Sequence, residues 1–259
     1  MMIKTKALVI KEHIFGESDK FITLFTKDIG RIQVVAPKAK KADKGLASAT
    51  QLFVYGDFLI MSYGEVYRLV SADIIEMFHS IRNNLYSLSY ASYMAELIYN
   101  ITQPSLPQKE LLRLTLVTLQ KISKENVDYN KIRRVYEIRA LSEVGFMPQI
   151  MGCTECGAEL VDNMDYYFSA RLGGIVCQKC IDEDKSNQLN NIHSGCTKIT
   201  YSTYCALYYI LGSNYKQLYN FDINNEVAKT LNEVADRYVA HYVDKNFKTL
   251  SFIETLVSM

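Results

Sequence analysis

Four cysteines stand in two matched pairs, Cys153-x-x-Cys156 and Cys177-x-x-Cys180, with twenty residues between the pairs. Each C-x-x-C sets two thiolates on one tight turn, and a hairpin joining the turns carries all four to the corners of a tetrahedron, as in a zinc ribbon. Gly152 and Gly157 bracket the first pair, Gly173-Gly174 leads into the second, and Asp165-Tyr166-Tyr167-Phe168-Ser169 reads as one hairpin strand. Free or disulfide-bonded cysteines are the alternative. A thioredoxin-like redox site needs a single pair beside a βαβ pattern, a context this chain lacks. Four thiolates leave no position open for water or substrate, so the expected cofactor is one structural Zn2+. The His-x-Glu and Pro-Cys-x-x-Cys signature of the zinc deaminases is absent. Cys196 and Cys205 lie too far along to join the quartet simply and read as core residues or bystanders.

A second constellation is cationic. Lys38, Lys40, Lys41 and Lys44 are separated by small residues, and Arg31 precedes them. Ammonium groups spread along such a loop do not form a fork for one phosphate, but they can follow a polyanion and release its counterions without reading sequence. Lys6, Lys11, Phe21 and Phe25 can join the same face, the phenylalanines alternatively belonging to a core. Arg133, Arg134 and Arg139 form a further group, read either as a solvated helix face or as a site for an acidic peptide. No catalytic set accompanies them. His13, His79, His193 and His241 are scattered, and the chain has no phosphate-binding P-loop, dinucleotide fingerprint or nucleophile elbow. A nuclease would need an acidic cluster for Mg2+, and the densest, Asp182-Glu183-Asp184, falls in an expected loop without other site signals. The chain therefore reads as a binding protein and not an enzyme.

The elements that must position these groups follow from periodicity. Ile3–Ile10, Phe21–Thr26, Arg31–Ala36, Leu52–Met61 and Val66–Ile74 read as strands, broken by turn residues at Gly16-Glu-Ser-Asp19, Asp28-Ile-Gly30, Pro37 to Gly45 and Ser62-Tyr-Gly64. Five strands with one long cationic connection predict an N-terminal OB-type β-barrel, with an SH3-like barrel as the competitor. From residue 78 the period is helical, with helices expected over Phe78–Asn100, Pro107–Ser123, Asn130–Glu143, Thr200–Leu211 and Asn225–Val243. The fold class is thus α+β: a barrel domain over 1–77, a helical domain over 78–150 and 186–259, and a ribbon over 151–185 inserted within it. Asp182–Asn191 reads as a loop.

The 259 residues carry a net charge of +1, but residues 1–50 hold ten Lys/Arg against five Asp/Glu, and residues 151–200 hold four against seven. A cationic front on a near-neutral chain points to a local anionic partner. No apolar run of about 18 residues is present and the N-terminus lacks a signal-peptide core, so a cytoplasmic protein without membrane contact is expected. Reducing conditions there favour metal-bound over disulfide cysteines.

Several segments together resemble the RecO family of bacterial recombination mediators, over essentially the full length. They are Gly16-Glu-Ser-Asp19 followed by Leu24-Phe25-Thr26 and Gly30, then Val35-Ala36-Pro37-Lys38-Ala39, then Tyr136-Glu137-Ile138-Arg139 running to Gly145-Phe146-Met147-Pro148-Gln149, and Gly173-Gly174-Ile175-Val176-Cys177. Lys38-Ala39-Lys40-Lys41 stands where the family often has Lys-Gly and paired arginines, and Lys245-Asn-Phe-Lys248 is only loosely similar to the family's basic C-terminal segment. The resemblance implies a protein that binds single- and double-stranded DNA and anneals complementary strands. With RecR it would help load RecA onto DNA coated by SSB, whose acidic C-terminal tail would find Arg133 and Arg134. The rival is a zinc-ribbon adaptor that binds only protein.

Overall fold

Apolar residues at alternate positions, punctuated by turns, build the front of the chain into strands β1 (Met2–Phe15), β2 (Asp19–Thr26), β3 (Gly30–Ala36), β4 (Tyr55–Tyr63) and β5 (Val66–Glu76). The computed structural model describes residues 1–40, 46–64, 66–160, 165–187 and 195–258, with backbone alone for 184–187. It divides into two compact units, Met1–Tyr129 with Phe247–Met259, and Asn130–Asn246.

In the first unit the strands close into a barrel in the order β1-β2-β3-β5-β4. β1 pairs antiparallel with both β2 and β4, and the ring is shut by a short parallel contact, Val34 opposite Tyr67 and Val35 opposite Arg68. This is the connectivity of an OB-type barrel, as the strand count and the long third connection predicted. Ala7, Val9, Ile22, Leu24, Ile32, Val34, Phe58, Ile60 and Leu69 point inward and form its core. β1 outruns the expected Ile10 because a bulge between Val9 and Lys11 lets the strand continue to Phe15. A short helix, α1 (Leu46–Ala49), lies between β3 and β4.

The barrel is followed by α2 (His79–Asn83), α3 (Leu85–Ile101) and α4 (Lys109–Ile122). One helix was expected across 78–100, but Asn84 takes extended backbone there and its side chain accepts from the Ser87 N–H, capping α3 afresh. α3 and α4 pack on β1 and β2. Gly30, at φ 71°, lies so near the Leu106 backbone that a Cβ would stand 2.4 Å from its carbonyl oxygen. A final helix, α9 (Lys248–Ser258), packs on α3 and was not expected. Its start is held from far away in sequence: Glu96 accepts from the Thr249 N–H (3.1 Å) and hydroxyl (2.5 Å), and Phe247 meets the Tyr93 ring edge-on.

The second unit takes α5 (Tyr129–Glu143) from Asn130 onward, then a small sheet of β6 (Tyr166–Ser169), β7 (Gly174–Cys177) and β8 (Thr197–Ile199) in the order β7-β6-β8. α6 (Gln178–Asn187), α7 (Tyr201–Gly212) and α8 (Asn225–Tyr242) complete it. Gly145, at φ 102°, ends α5, and the Phe146 N–H returns to the Leu141 carbonyl. The loop expected at Asp182–Asn191 is helical as far as Asn187 and lies beyond it outside the described residues.

Arg133 and Arg134 require a correction. Neither lies on a solvated face; both are 6% exposed. Arg133 Nε meets Glu137 Oε1 at 2.8 Å and Arg134 Nη1 meets Oε2 at 3.0 Å, while Arg134 also grips Asp236 and Asn232 of α8. Arg139 pairs with Glu143 at 2.8 Å and donates to the Ile210 and Leu211 carbonyls at the end of α7. The three arginines bind α5 to its neighbours, and Arg133 and Arg134 offer no exposed guanidinium to an acidic peptide. Among the described residues no helix is long and apolar enough to cross a membrane.

Glu137 is fully buried beneath two guanidinium groups. Glu137→Ala is expected to destabilise the protein by about 3–5 kcal/mol, because it strands buried charge, whereas an exposed pair such as Arg113–Glu110 contributes under about 1 kcal/mol. Urea unfolding of the two variants, Glu137→Ala and Glu110→Ala, checks the contrast; equal midpoints would show that water reaches Arg133 and Arg134.

Candidate metal centre and nucleic-acid interface

The first cysteine pair sits on a turn stitched by its own backbone, with Cys153 N–H on the Ala158 carbonyl and Gly157 N–H on the Cys153 carbonyl, both at 2.9 Å. Gly157 takes φ 72° to make that turn. The second pair spans a strand-to-helix junction, Cys177 ending β7 and Cys180 in the first turn of α6. The knuckles are joined by Thr154 N–H on the Ile175 carbonyl (2.8 Å) and by Gln149, which donates to Gly173 and accepts from Ile175. Gly174 permits this approach: a Cβ there would lie 2.2 Å from the Gln149 carbonyl oxygen.

The four sulfurs lie within 4.8 Å of one another. Three separations are 3.8 Å (Cys153–Cys180), 3.7 Å (Cys156–Cys177) and 3.6 Å (Cys177–Cys180). A tetrahedron with metal–sulfur bonds of about 2.3 Å has edges of about 3.8 Å, so the thiols already stand at the corners that a four-coordinate soft ion requires. Cys153, Cys177 and Cys180 are buried with Val176 and Ile181, and Cys156 is exposed. Burial pushes the Cys153 thiol up, but N–H groups of Cys156, Cys177 and Glu155 outweigh it and bring it to about 7. Burial raises Cys177 and, further, Cys180. With no labile position in a four-sulfur site, the chemistry available is structural. Cys196 packs beside the cluster and Cys205 is exposed on α7.

The cations expected on the barrel are divided by the fold. Lys6 is paired across β1–β4 with Asp57 at 2.9 Å, and that hydrogen bond raises its pKa. Arg31 lies with its guanidinium 4.1 Å from the Tyr99 ring centre and donates to the Thr102 hydroxyl and carbonyl, fastening β3 to the end of α3. Lys11 lies 5.3 Å from the same ring. Lys38 and Lys40 are exposed, and their backbone is strapped to the β1–β2 turn: Lys38 N–H on Asp19 at 2.8 Å, Lys40 N–H on the Ser18 carbonyl at 3.0 Å, and Lys40 Nζ on the Gly16 carbonyl at 3.0 Å. The Lys38 N–H is the main cause of a lowered Asp19 pKa, which keeps this strap ionised. Lys41 and Lys44 lie outside the described residues.

One cation went unnoticed in the sequence. Arg68 is exposed on β5 beside Val35, close enough to Asp19 to help lower its pKa. A single arginine in a strand carries no run or motif; only the parallel β3–β5 register brings it to the lysine end of the barrel. Phe25, considered for this face, is fully buried, whereas Phe21 is partly exposed and packs on Phe15.

Two family models, the N-terminal and C-terminal parts of recombination protein O, match residues 1–78 and 82–251. A protein of Acetivibrio thermocellus described as DNA repair protein RecO is 36% identical over 254 residues, covering 98% of this chain and 97% of the relative. Proteins of the same description from Alkaliphilus metalliredigens and Bacillus pumilus are 27% and 30% identical, covering 99% and 100% of this chain and 100% and 96% of their own lengths.

Adding Zn2+ as a probe to metal-free protein is expected to saturate at one ion per chain. Binding should release protons and tighten as pH rises through neutrality, since Cys177 and Cys180 hold their protons above the ordinary thiol range. Cys177→Ser should abolish tight binding and open the second unit to protease. Full zinc content in that variant, measured by mass spectrometry, would show that the quartet is not the ligand set.

Proposed function

Because the chain belongs to the recombination protein O family, we propose that it is a non-catalytic DNA-repair mediator that binds single- and double-stranded DNA and anneals complementary strands. Both family models match, together spanning nearly the whole chain, and this observation carries the reading. The exposed Lys38, Lys40 and Arg68 on the closed barrel support it.

The mechanism is physical. Lys38, Lys40 and Arg68 at one end of the barrel neutralise phosphates and release counterions, and Lys41 and Lys44, which lie outside the described residues, add charge to the same stretch of sequence. Two strands held by such cations repel each other less, so complementary bases meet more often. Lys6, Lys11 and Arg31 are weaker contributors, since Asp57, Tyr99 and Thr102 already engage them.

The division of labour assigns DNA to the barrel, residues 1–77, and partner surfaces to the helical segments 78–150 and 186–259. A Zn2+ ion held by Cys153, Cys156, Cys177 and Cys180 would keep the ribbon, 151–185, in register; its role is to fix the fold. Family membership also supports RecR and the acidic SSB tail as protein partners, with RecA loading onto SSB-coated DNA as the outcome, in the cytoplasm at the nucleoid.

Fluorescence anisotropy with a labelled oligonucleotide across a salt series tests the DNA reading. Tight binding at low salt should fall steeply as salt rises. Replacing Lys38 and Lys40 by glutamate should lower affinity about tenfold or more and reduce the single-strand salt slope by about 1.4, the share of two lost phosphate contacts. Absence of binding at any salt would leave a protein-only adaptor as the better account.

A further inference from the structure

The four thiols of the ribbon are unevenly shielded. Cys153, Cys177 and Cys180 are buried among Val176 and Ile181, whereas Cys156 is exposed beside Glu155 and Gly157. A reagent arriving from water therefore meets Cys156 first. The sulfurs within its reach are not equivalent. Cys177, on the other knuckle, stands 3.7 Å away. Cys153 shares the Cys156 turn, and its sulfur already accepts the Cys177 N–H at 3.4 Å. Cys180 rests against Cys153 at 3.8 Å. Cys196 packs on the buried residues around the quartet but is not one of the four whose sulfurs lie within 4.8 Å of one another.

The short separations Cys153–Cys180 and Cys156–Cys177 thus run between the knuckles, while Cys177–Cys180, at 3.6 Å, lies within the second. A disulfide holds its sulfurs about 2.0 Å apart, so the Cys156–Cys177 pair closes with a movement of under about 2 Å. A bridge made there joins the same two turns that a tetrahedral ion would join. It also leaves only Cys153 and Cys180 as thiolates, too few to close a four-sulfur site.

We propose that Cys156 and Cys177 are a peroxide-sensitive pair, whose oxidation to a cross-knuckle disulfide displaces the metal while keeping the knuckles tied. The inference goes beyond DNA binding and rests on the quartet being the ligand set. The Cys156 thiolate attacks one oxygen of hydrogen peroxide; an S–O bond forms, the O–O bond breaks and hydroxide leaves. The Cys177 thiolate then attacks the Cys156 sulfur; the S–S bond forms, the S–O bond breaks and a second hydroxide leaves. Each hydroxide takes a proton from solvent, so two thiolates give up two electrons and the peroxide becomes two waters. A dithiol reductant returns both cysteines to thiols, and the quartet is again available to a metal.

The experiment treats the full zinc-loaded chain with hydrogen peroxide. Released Zn2+ is read with a chromophoric chelator, and disulfides are mapped by peptide mass spectrometry after the remaining thiols are blocked. About one Zn2+ should leave for each Cys156–Cys177 bridge formed, and that bridge should exceed every other by about tenfold or more. Dithiothreitol should restore tight zinc binding. Cys205→Ser, which removes an exposed thiol outside the quartet, should release zinc at the wild-type rate. The oxidised chain should also survive protease about tenfold longer than reduced chain stripped by a chelator, since only the former keeps its knuckles joined. Zinc retained after Cys156 is oxidised, a bridge confined to one knuckle, or a bridge to Cys196 or Cys205 would overturn the pair while leaving the quartet as ligands. Slowed release from Cys205→Ser would overturn it as well. A chain that takes up no zinc before treatment would remove both the pair and the ligand set on which it rests.

Discussion

Closure of the barrel rests on the shortest pairing in it, the parallel contact of Val34 with Tyr67 and Val35 with Arg68. Every other junction is an antiparallel ladder of seven or more paired positions. A sheet left open at this seam would present two unpaired edges, and its core residues would face solvent on one side. Closure also fixes what the surface can do. It brings Arg68, late in the barrel's sequence, beside Val35 and the lysine connection that follows β3.

Much of this was legible in the chain. Period-two alternation located the five strands, Gly16, Gly30 and Gly64 marked turns, and the paired cysteines announced both the ribbon and its hairpin strand. Alternation and turn chemistry are local, and local signals survive in a single sequence. The bulge after Val9 was not visible, because an extra residue reverses the inside–outside pattern and makes the strand seem to stop. Which lysines stay free was equally hidden. Lys6 and Lys40 look alike in sequence, yet Lys6 is neutralised by the cross-strand Asp57 carboxylate, whereas among the described residues Lys40 meets only the uncharged Gly16 carbonyl and keeps its charge unmatched.

The arginines of α5 show the limit most clearly. Three basic residues within one helix read as a solvated face, yet Arg133 and Arg134 are as buried as many of their apolar neighbours. The cause is Glu137, which lies one turn on and is itself buried, together with Asp236 about a hundred positions away on α8. Charge buried with matched charge is costly to assemble and costlier to break, so it serves as a register pin for the helices it joins. The helix at the C-terminal end escaped notice for a related reason, since its capping carboxylate, Glu96, belongs to α3.

That last helix has a consequence for the order in which the chain becomes structured. The unit that contains the barrel begins at Met1 but is completed by Phe247–Met259, after the whole second unit has been interposed. During synthesis the barrel strands emerge first, yet Tyr93 and Glu96 on α3 must wait for Phe247 and Thr249. Until then those two α3 side chains lack the contacts that Phe247 and Thr249 supply. The first unit is therefore the first begun and the last finished, and its completion reports that the ribbon-bearing segment has already been made.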